Sequence, residues 1–112
     1  TDDMIIAAGY NISGPEVEQV LLMHPQVREC AVVGKPVPEK HTNIVKAYVV
    51  LADESQSGAG KAAELQDFVR ERIASFKAPR EIEFVSQLPR TETGKVQRFR
   101  LRERAADEIA TS

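Results

Sequence analysis

The chain has 112 residues, 42% of them hydrophobic and 29% charged, a composition typical of one globular domain with a modest core. The net charge of −2 gives no general attraction to nucleic acid, and no apolar run approaches the roughly 20 residues of a membrane span. Cys30 is the single cysteine, which excludes an internal disulfide and is typical of a reducing cytoplasm. With His24 and His41 as the two histidines, the sequence offers no metal-ligand spacing. We therefore expect a cytoplasmic domain without a metal of its own.

The first third of the chain predicts a hairpin, a helix and a strand. Two short extended pieces flank Gly9, which predicts a small hairpin or a bent strand. Ser13-Gly14-Pro15-Glu16 is typical of a helix start, because a Ser cap is followed three residues later by Glu, and Pro25 stops the helix. Val27 to Gly34 predicts a buried strand that includes Cys30. We expect that strand to end at Gly34, because two prolines follow at once.

The remaining elements alternate between strand and helix. Asn43 to Leu51 has apolar residues on both faces, which predicts a central strand covered on both sides. An exposed loop over Asp53 to Lys61 precedes an amphipathic helix from Ala62 to Ser75. Glu81 to Val85 predicts a short strand, and Arg98 to Ile109 a final helix. The fold class is therefore α+β, a compact domain with a short mixed sheet of about three strands flanked by helices, plus the N-terminal hairpin.

The segment from Pro89 to Arg98 has almost no apolar residues, so it cannot be placed on a buried face of the fold. Gly94 accepts a positive φ and predicts a flexible or tight turn. Lys95 beside it is a mobile cation suited to an oxyanion or a phosphate. A phosphate-binding P-loop is excluded, since its upstream glycine is missing and Val96 replaces the Ser or Thr that holds magnesium. By itself, the segment is better explained as a solvated surface turn.

Four blocks of the chain resemble the C-terminal domain of adenylate-forming enzymes, in that family's order and spacing. They are Asp2-Asp3 with Ile5-Ile6, Gly9-Tyr10-Asn11-Ile12 and Pro15-Glu16-Val17-Glu18; His24-Pro25 and Val27 with Ala31-Val32-Val33-Gly34; Phe76-Lys77 with Pro79-Arg80; and Leu88-Pro89-Arg90-Thr91 with Thr93-Gly94-Lys95-Val96 and Arg98. Residues 1–112 thus resemble the small, mobile domain of an acyl-CoA synthetase, detached from a large N-terminal domain. The motifs are most similar to medium-chain and aryl ligases of the benzoate and 2-aminobenzoate types.

The resemblance implies a reaction in two steps. A carboxylic acid attacks the α-phosphate of ATP to give an acyl-adenylate and pyrophosphate. The small domain then rotates, and the thiol of CoA attacks the adenylate to give the thioester and AMP. ATP and CoA are then substrates, Mg²⁺ binds through ATP in the absent N-terminal domain, and the 112-residue chain alone is expected to hold no cofactor and to be inactive.

The same resemblance implies roles for individual residues. Lys95 corresponds to the catalytic lysine of the first step, and to a lysine controlled by an acetyltransferase and a deacetylase. Asp2 corresponds to the hinge, and Gly9 to the glycine that lines the pantetheine tunnel. The further assignments are Phe76, Lys77 and Arg80 to the nucleotide of CoA, and Thr93 and Gly94 to the loop that meets ATP. The alternatives are a surface aspartate for Asp2, a simple turn glycine for Gly9, and a helix cap or a solvated turn for Phe76, Lys77 and Arg80.

The chain departs from the family pattern in the first and third blocks. Several relatives carry a lysine where this chain has Ile6, Ala7 and Ala8, so any role of that lysine in the second step is absent. Ala78 stands where some relatives have a basic residue, which weakens the assignment of the CoA nucleotide.

Two other functions stay open. One is the C-terminal subdomain of a peptide-synthetase adenylation module, whose thiol comes from a carrier protein. The other is a non-enzymatic module that binds nucleic acid or another anion through the arginines at 98, 100, 102 and 104. A solvated helix face explains these arginines better, because they spread around the helix and have no aromatic pair beside them.

Overall fold

The computed structural model describes residues 3–110, with side chains to residue 108. Its elements in chain order are β1 (Met4–Ala7), β2 (Tyr10–Ser13), α1 (Gly14–Leu22), β3 (Val27–Val37), β4 (Thr42–Leu51), α2 (Ala59–Arg70), β5 (Glu81–Phe84) and α3 (Arg98–Ala110). Strands β1 and β2 form an antiparallel hairpin, and β3, β4 and β5 form a mixed sheet in that order. The predicted α+β architecture is confirmed.

Strand β4 is the centre of the sheet and is buried on both faces. It pairs with β3 in antiparallel register, from Val27 opposite Leu51 to Val37 opposite Thr42, and with β5 in parallel. One face packs in a core shared by the hairpin, α1 and α2: Ile5, Ile12, Val17, Leu21, Val45, Ala47, Val49, Leu51, Leu65 and Val69. The other face packs in a core shared with α3: Ala31, Val33, Tyr48, Val50, Leu88, Leu101 and Ala105. The prediction of a covered central strand is confirmed.

Helix α1 begins as its sequence predicts. The Ser13 hydroxyl accepts a hydrogen bond from the backbone N–H of Glu16 at 3.2 Å, which satisfies one of the free donors of the first turn. Pro15 occupies the first turn, where its missing donor costs nothing.

Strand β3 runs past the point where the sequence predicts its end. Pro36 lies opposite Asn43 in the ladder, so the prediction that the prolines exclude strand pairing is wrong. Strand β3 is at the edge of the sheet order, where one row of backbone groups has no strand partner, and proline is tolerated in such a strand.

Helix α2 lies earlier in the chain than its apolar pattern predicts. It begins at Ala59 and ends at Arg70, because the N–H groups of Arg72 and Ile73 both turn back to the carbonyl of Val69. Ile73 still packs on the core, but from the turn after the helix. The helical spacing of apolar residues in the sequence therefore arises from both the helix and the turn that follows it.

A cluster of charged side chains joins α3 to the sheet. The Lys46 side chain is buried, and its ammonium lies 2.7 Å from Glu108, 2.9 Å from Glu83 and 3.2 Å from Glu81. The Lys35 ammonium lies 2.8 Å from Glu108 and 3.0 Å from Glu81. Burial opposes the charge on Lys46, but hydrogen bonds to Glu108 and Glu83 outweigh it and raise the pKa of Lys46. Burial likewise opposes ionisation of Glu108, but hydrogen bonds from both lysines outweigh it and lower the pKa of Glu108 to about 2.

Removing the charge of Glu108 should change how stability depends on pH. Below the ordinary carboxyl pKa of 4.5 the unfolded chain binds a proton at Glu108, whereas the folded chain does so only near pH 2. The stabilisation that ionised Glu108 gives the fold is therefore complete above pH 4.5 and is lost as the pH falls toward 2. We expect Glu108→Gln to lower the free energy of unfolding at pH 7 by about 2 kcal/mol. The same substitution should reduce the decrease in the free energy of unfolding as the pH falls below 4.5.

Urea unfolding of the 112-residue chain at several pH values measures both effects. Glu103→Gln, at an exposed position of the same helix, is the matched control and should leave the pH profile unchanged. An equally steep acid loss in Glu108→Gln and in the parent chain would contradict the assignment.

Candidate functional site

The segment between β5 and α3 forms a hydrogen-bonded turn with Lys95 at its exposed tip. The N–H of Thr91 donates to the carbonyl of Lys95 at 2.8 Å, and the N–H of Gly94 donates to the carbonyl of Thr91 at 2.9 Å. The N–H of Lys95 donates to the Thr91 hydroxyl at 3.0 Å. Arg90 and Val96 pair across the base as an antiparallel bridge. Of the two conformations that the sequence allowed, the structure has the tight turn.

Two features of this turn concern the residues assigned to the nucleotide. Gly94 has a φ of +91°, a conformation that other residues disfavour, and its side-chain position faces open space. The Thr93 hydroxyl lies 3.0 Å from that of Thr91, so the two threonines support each other within the turn.

The side chain of Lys95 is exposed. Within residues 3–110, it forms no ion pair or hydrogen bond, unlike Lys35, Lys46, Lys61 and Lys77. The turn therefore presents an ammonium that is in no ion pair within the described part of the chain.

Two ion pairs hold the two ends of this turn. Arg98 forms a two-pronged pair with Glu18, which is buried on α1, and these hydrogen bonds raise the pKa of Arg98. Arg90 pairs with Glu29 on β3. The sequence does not predict either partner, because each lies more than 60 residues away along the chain. The usable signal was Glu18 itself, a charged residue three positions before Leu21 on the apolar side of α1.

A second candidate region surrounds the hairpin turn at Gly9. Gly9 has a φ of +84°, and the N–H of Ala8 donates to the Thr42 hydroxyl at 2.8 Å, which fixes the turn at the start of β4. The rings of Tyr10 and Phe76 stack with their centroids 4.1 Å apart. An open groove of about 480 Å³ lies beside them, lined by Ala7, Ala8, Tyr10, Val45, Arg70, Ser75, Phe76 and Arg80.

The groove brings together most of the residues assigned to CoA, although they come from distant parts of the sequence. Phe76 and Arg80 line it next to the Gly9 turn. Lys77 instead turns toward α1, where its ammonium lies 2.9 Å from the Glu16 carboxylate. The structure thus places Phe76 and Arg80 on the groove, Gly9 in the turn beside it, and Lys77 nearby in an ion pair.

The Lys95 turn and the Gly9 groove lie at opposite ends of the sheet. Arg90, at the base of the Lys95 turn, contacts Glu29, which pairs with Val50 near the end of β4. The Gly9 turn contacts Thr42 at the start of β4. Eight residue steps separate Thr42 from Val50, which is about 26 Å of strand.

The arginines of α3 have intramolecular partners. Arg98 pairs with Glu18, Arg104 pairs with Glu83, and the Nε of Arg100 donates to the Gln97 side chain at 2.8 Å. Arg102 also interacts within the domain. These arginines therefore do not form a stripe of uncompensated charge.

Three other sequence predictions concern reactive or membrane-bound features. Cys30 is a buried strand thiol, as predicted, and burial raises its pKa to about 12. In the described part of the chain, no His, Cys, Asp and Glu side chains cluster in threes to hold a metal ion. No helix among the described residues is long and apolar enough to cross a membrane. Asp2, the predicted hinge, lies outside the described residues.

Residues 16–95 match the model of the family described as AMP-binding enzyme C-terminal domain. The chain belongs to this family. It is 48% identical over 103 residues to an uncharacterised acyl-CoA ligase of Bacillus subtilis, a match that covers 92% of this chain and 19% of the relative.

Two solved structures show the same fold. The acyl-CoA synthetase of Brucella canis matches with a TM-score of 0.90 and 44% identity, over 96% of this chain and 20% of that one. The anthranilate CoA ligase AuaEII, in complex with anthranoyl-AMP, matches with a TM-score of 0.88 and 41% identity, over 97% of this chain and 21% of that one. The chain therefore spans about a fifth of the length of these relatives, and the resemblance inferred from its motifs is confirmed.

Proposed function

We propose that residues 1–112 act as the mobile C-terminal domain of an ATP-dependent acyl- or aryl-CoA ligase. The observation that carries the proposal is the exposed Lys95 ammonium, held on a tight turn and in no ion pair within the described chain. Family membership and the relatives' greater length support a large N-terminal domain as its partner in the same protein. That domain binds ATP, the carboxylic acid and Mg²⁺, the last through the phosphates of ATP.

In the first step, Lys95 brings together two groups that repel each other. The carboxylate of the acid and the α-phosphate of ATP are both negative, and the charge on the phosphate oxygens must be stabilised as they react. A cation aimed at that position lowers the barrier by a few kcal/mol, and by more in a closed, dry site than at a free surface. Gly94 has no side chain to obstruct entry of the tip, and Thr93 lies beside it for contact with the nucleotide.

In the second step, the Gly9 groove meets CoA. The backbone turn at Gly9 lies against the pantetheine arm, and Phe76, Lys77 and Arg80 lie near the CoA nucleotide. An aromatic ring and a guanidinium suit an adenine base and a phosphate, respectively. CoA rather than a carrier protein is the favoured thiol, because the groove presents Phe76 and Arg80 together.

The separation of the two regions supports a rotation between the steps. The Gly9 turn contacts Thr42 at the start of β4, and the base of the Lys95 turn contacts Glu29 opposite Val50 near its end, so one active site on the large domain meets the two regions in turn, not together. We place the hinge of this motion at Asp2. We further propose a cytoplasmic enzyme that acts on medium-chain or aromatic acids such as benzoate or 2-aminobenzoate.

Replacement of the catalytic cation should affect one half-reaction only. In the full-length enzyme, we expect Lys95→Ala to slow acyl-adenylate formation by about 100-fold or more, since a preorganised charge is lost. Thioester formation from supplied acyl-adenylate and CoA should be unchanged. Pyrophosphate release and thioester appearance measure the two steps separately. Lys40→Ala, at another exposed lysine, is the control. The 112-residue chain alone should make no acyl-adenylate. An equal loss in both steps of the Lys95→Ala enzyme would refute the assigned role.

The CoA groove should show the opposite pattern. We expect Arg80→Ala to raise the KM for CoA by about tenfold, the effect of losing one charge-assisted hydrogen bond, and to leave pyrophosphate release unchanged. Arg28→Ala, on the exposed surface near Ala52, is the matched control. An unchanged KM for CoA in Arg80→Ala would remove this residue from the CoA site.

We also propose that an acetyltransferase and a deacetylase regulate Lys95. Its side chain is exposed at the tip of a turn, and acetylation would remove the charge that the first step needs. Full-length enzyme acetylated stoichiometrically at Lys95 should lose adenylate formation and recover it after enzymatic deacetylation. Full activity of the acetylated enzyme would exclude this regulation.

A further inference from the structure

We propose that Arg98 and Arg90, through Glu18 and Glu29, are positioning residues that aim Lys95 during adenylate formation. The inference rests on the role proposed above for Lys95, and adds how the fold holds a single exposed lysine in one direction. Its basis is the pair of ionic contacts at the two ends of the turn.

The C-terminal end of the turn is fixed by Arg98 and Glu18. The Nε of Arg98 donates to Oε2 of Glu18 at 2.9 Å, and a second guanidinium nitrogen contacts Oε1. Oε2 also accepts the N–H of Val32 at 2.9 Å. Glu18 is 4% exposed, so its carboxylate is held by α1, by β3 and by Arg98 together. A two-pronged pair of this kind fixes the plane of the guanidinium as well as its distance.

The N-terminal end of the turn is fixed by Arg90. One guanidinium nitrogen contacts Glu29 on β3, and the other donates to the carbonyl of Gly94 at 2.5 Å. That carbonyl belongs to the peptide bond that joins Gly94 to Lys95. Arg90 therefore links the edge strand of the sheet directly to the backbone of the catalytic residue.

Between Leu88 and α3, both packed on the core, few apolar contacts fix the direction of this segment. Residues 91–95 are partly or fully exposed, and Val96 is the member of the turn that packs on the core, where it is half-buried. Hydrogen bonds within the turn set its shape, but the two arginines connect that shape to the rigid sheet and to α1. Because a displacement of about 1 Å can cost on the order of 100-fold in rate, loosening either connection should slow the reaction that needs Lys95.

A purely structural role makes a different prediction. If the two pairs only stabilise the fold, their loss should lower the melting temperature and weaken both half-reactions by the same factor. If they aim Lys95, their loss should slow adenylate formation alone, and should have no effect once Lys95 is already absent.

The test uses the full-length enzyme with Arg98→Lys, which keeps the charge and loses the two-pronged geometry, and Arg90→Gln, whose partly exposed site tolerates the change. Each variant is made alone and together with Lys95→Ala, and both half-reactions are measured. Arg104→Lys, in the same helix and paired with Glu83, is the matched control.

We expect Arg98→Lys and Arg90→Gln each to slow adenylate formation by about 10- to 100-fold and to leave thioester formation within about twofold of the parent rate. In the Lys95→Ala background, neither variant should slow adenylate formation further.

Equal losses in both half-reactions, unchanged rates, or full additivity with Lys95→Ala would overturn the inference. If Arg98→Lys fails to fold, Arg90→Gln decides by the same criteria. A normal rate in Lys95→Ala alone would overturn the proposed function and this inference with it. A slow Lys95→Ala with normal arginine variants would overturn the inference and leave the proposed function standing.

Discussion

The register between β3 and β4 is the constraint on which the rest of the structure depends. It pairs Val27 with Leu51 and Val37 with Thr42, and so gives the domain a long, rigid axis buried on both faces. The Lys95 turn is anchored near one end of this axis through Glu29, and the Gly9 turn near the other through Thr42. A slip of one residue would exchange the two faces of β4 and expose both cores. The separation of the two candidate regions is therefore as fixed as the core itself.

The domain uses its lysines in two opposite ways. Lys46 is buried among Glu81, Glu83 and Glu108, where its charge is neutralised and ties α3 to the sheet. Lys95 is exposed on a turn whose two arginines, Arg90 and Arg98, are already paired with glutamates. The ion pairs of these arginines fix the direction of the turn, and the ammonium of Lys95 is left available to a substrate. This division of roles supports the proposal that the turn meets a negatively charged nucleotide supplied by another domain.

Much of this architecture could be predicted from local sequence. The Ser13 cap, the hairpin at Gly9 and the two buried faces of β4 each follow from patterns within a few residues, and the motifs identified the family. The predictions failed where tertiary context decides. The strand was expected to end at Gly34, but Pro36 is accommodated in an edge strand, and the helix predicted to reach Ser75 ends at Arg70. The pair of Glu18 with Arg98 was missed because its partners are 80 residues apart. The role of Asp2 remains a prediction, since it lies outside the described residues.

Lysine footprinting of the full-length enzyme tests the central claim most directly. An amine-reactive reagent and mass spectrometry would compare the labelling of Lys95 and Lys77, with the exposed Lys40 as reference. With the acid and a non-hydrolysable ATP analogue bound, the account predicts that Lys95 is protected and Lys77 is labelled. With a stable acyl-adenylate analogue and CoA bound, it predicts the reverse. Protection of both lysines in the same complex would contradict the claim that the two ends of the domain serve the active site in turn.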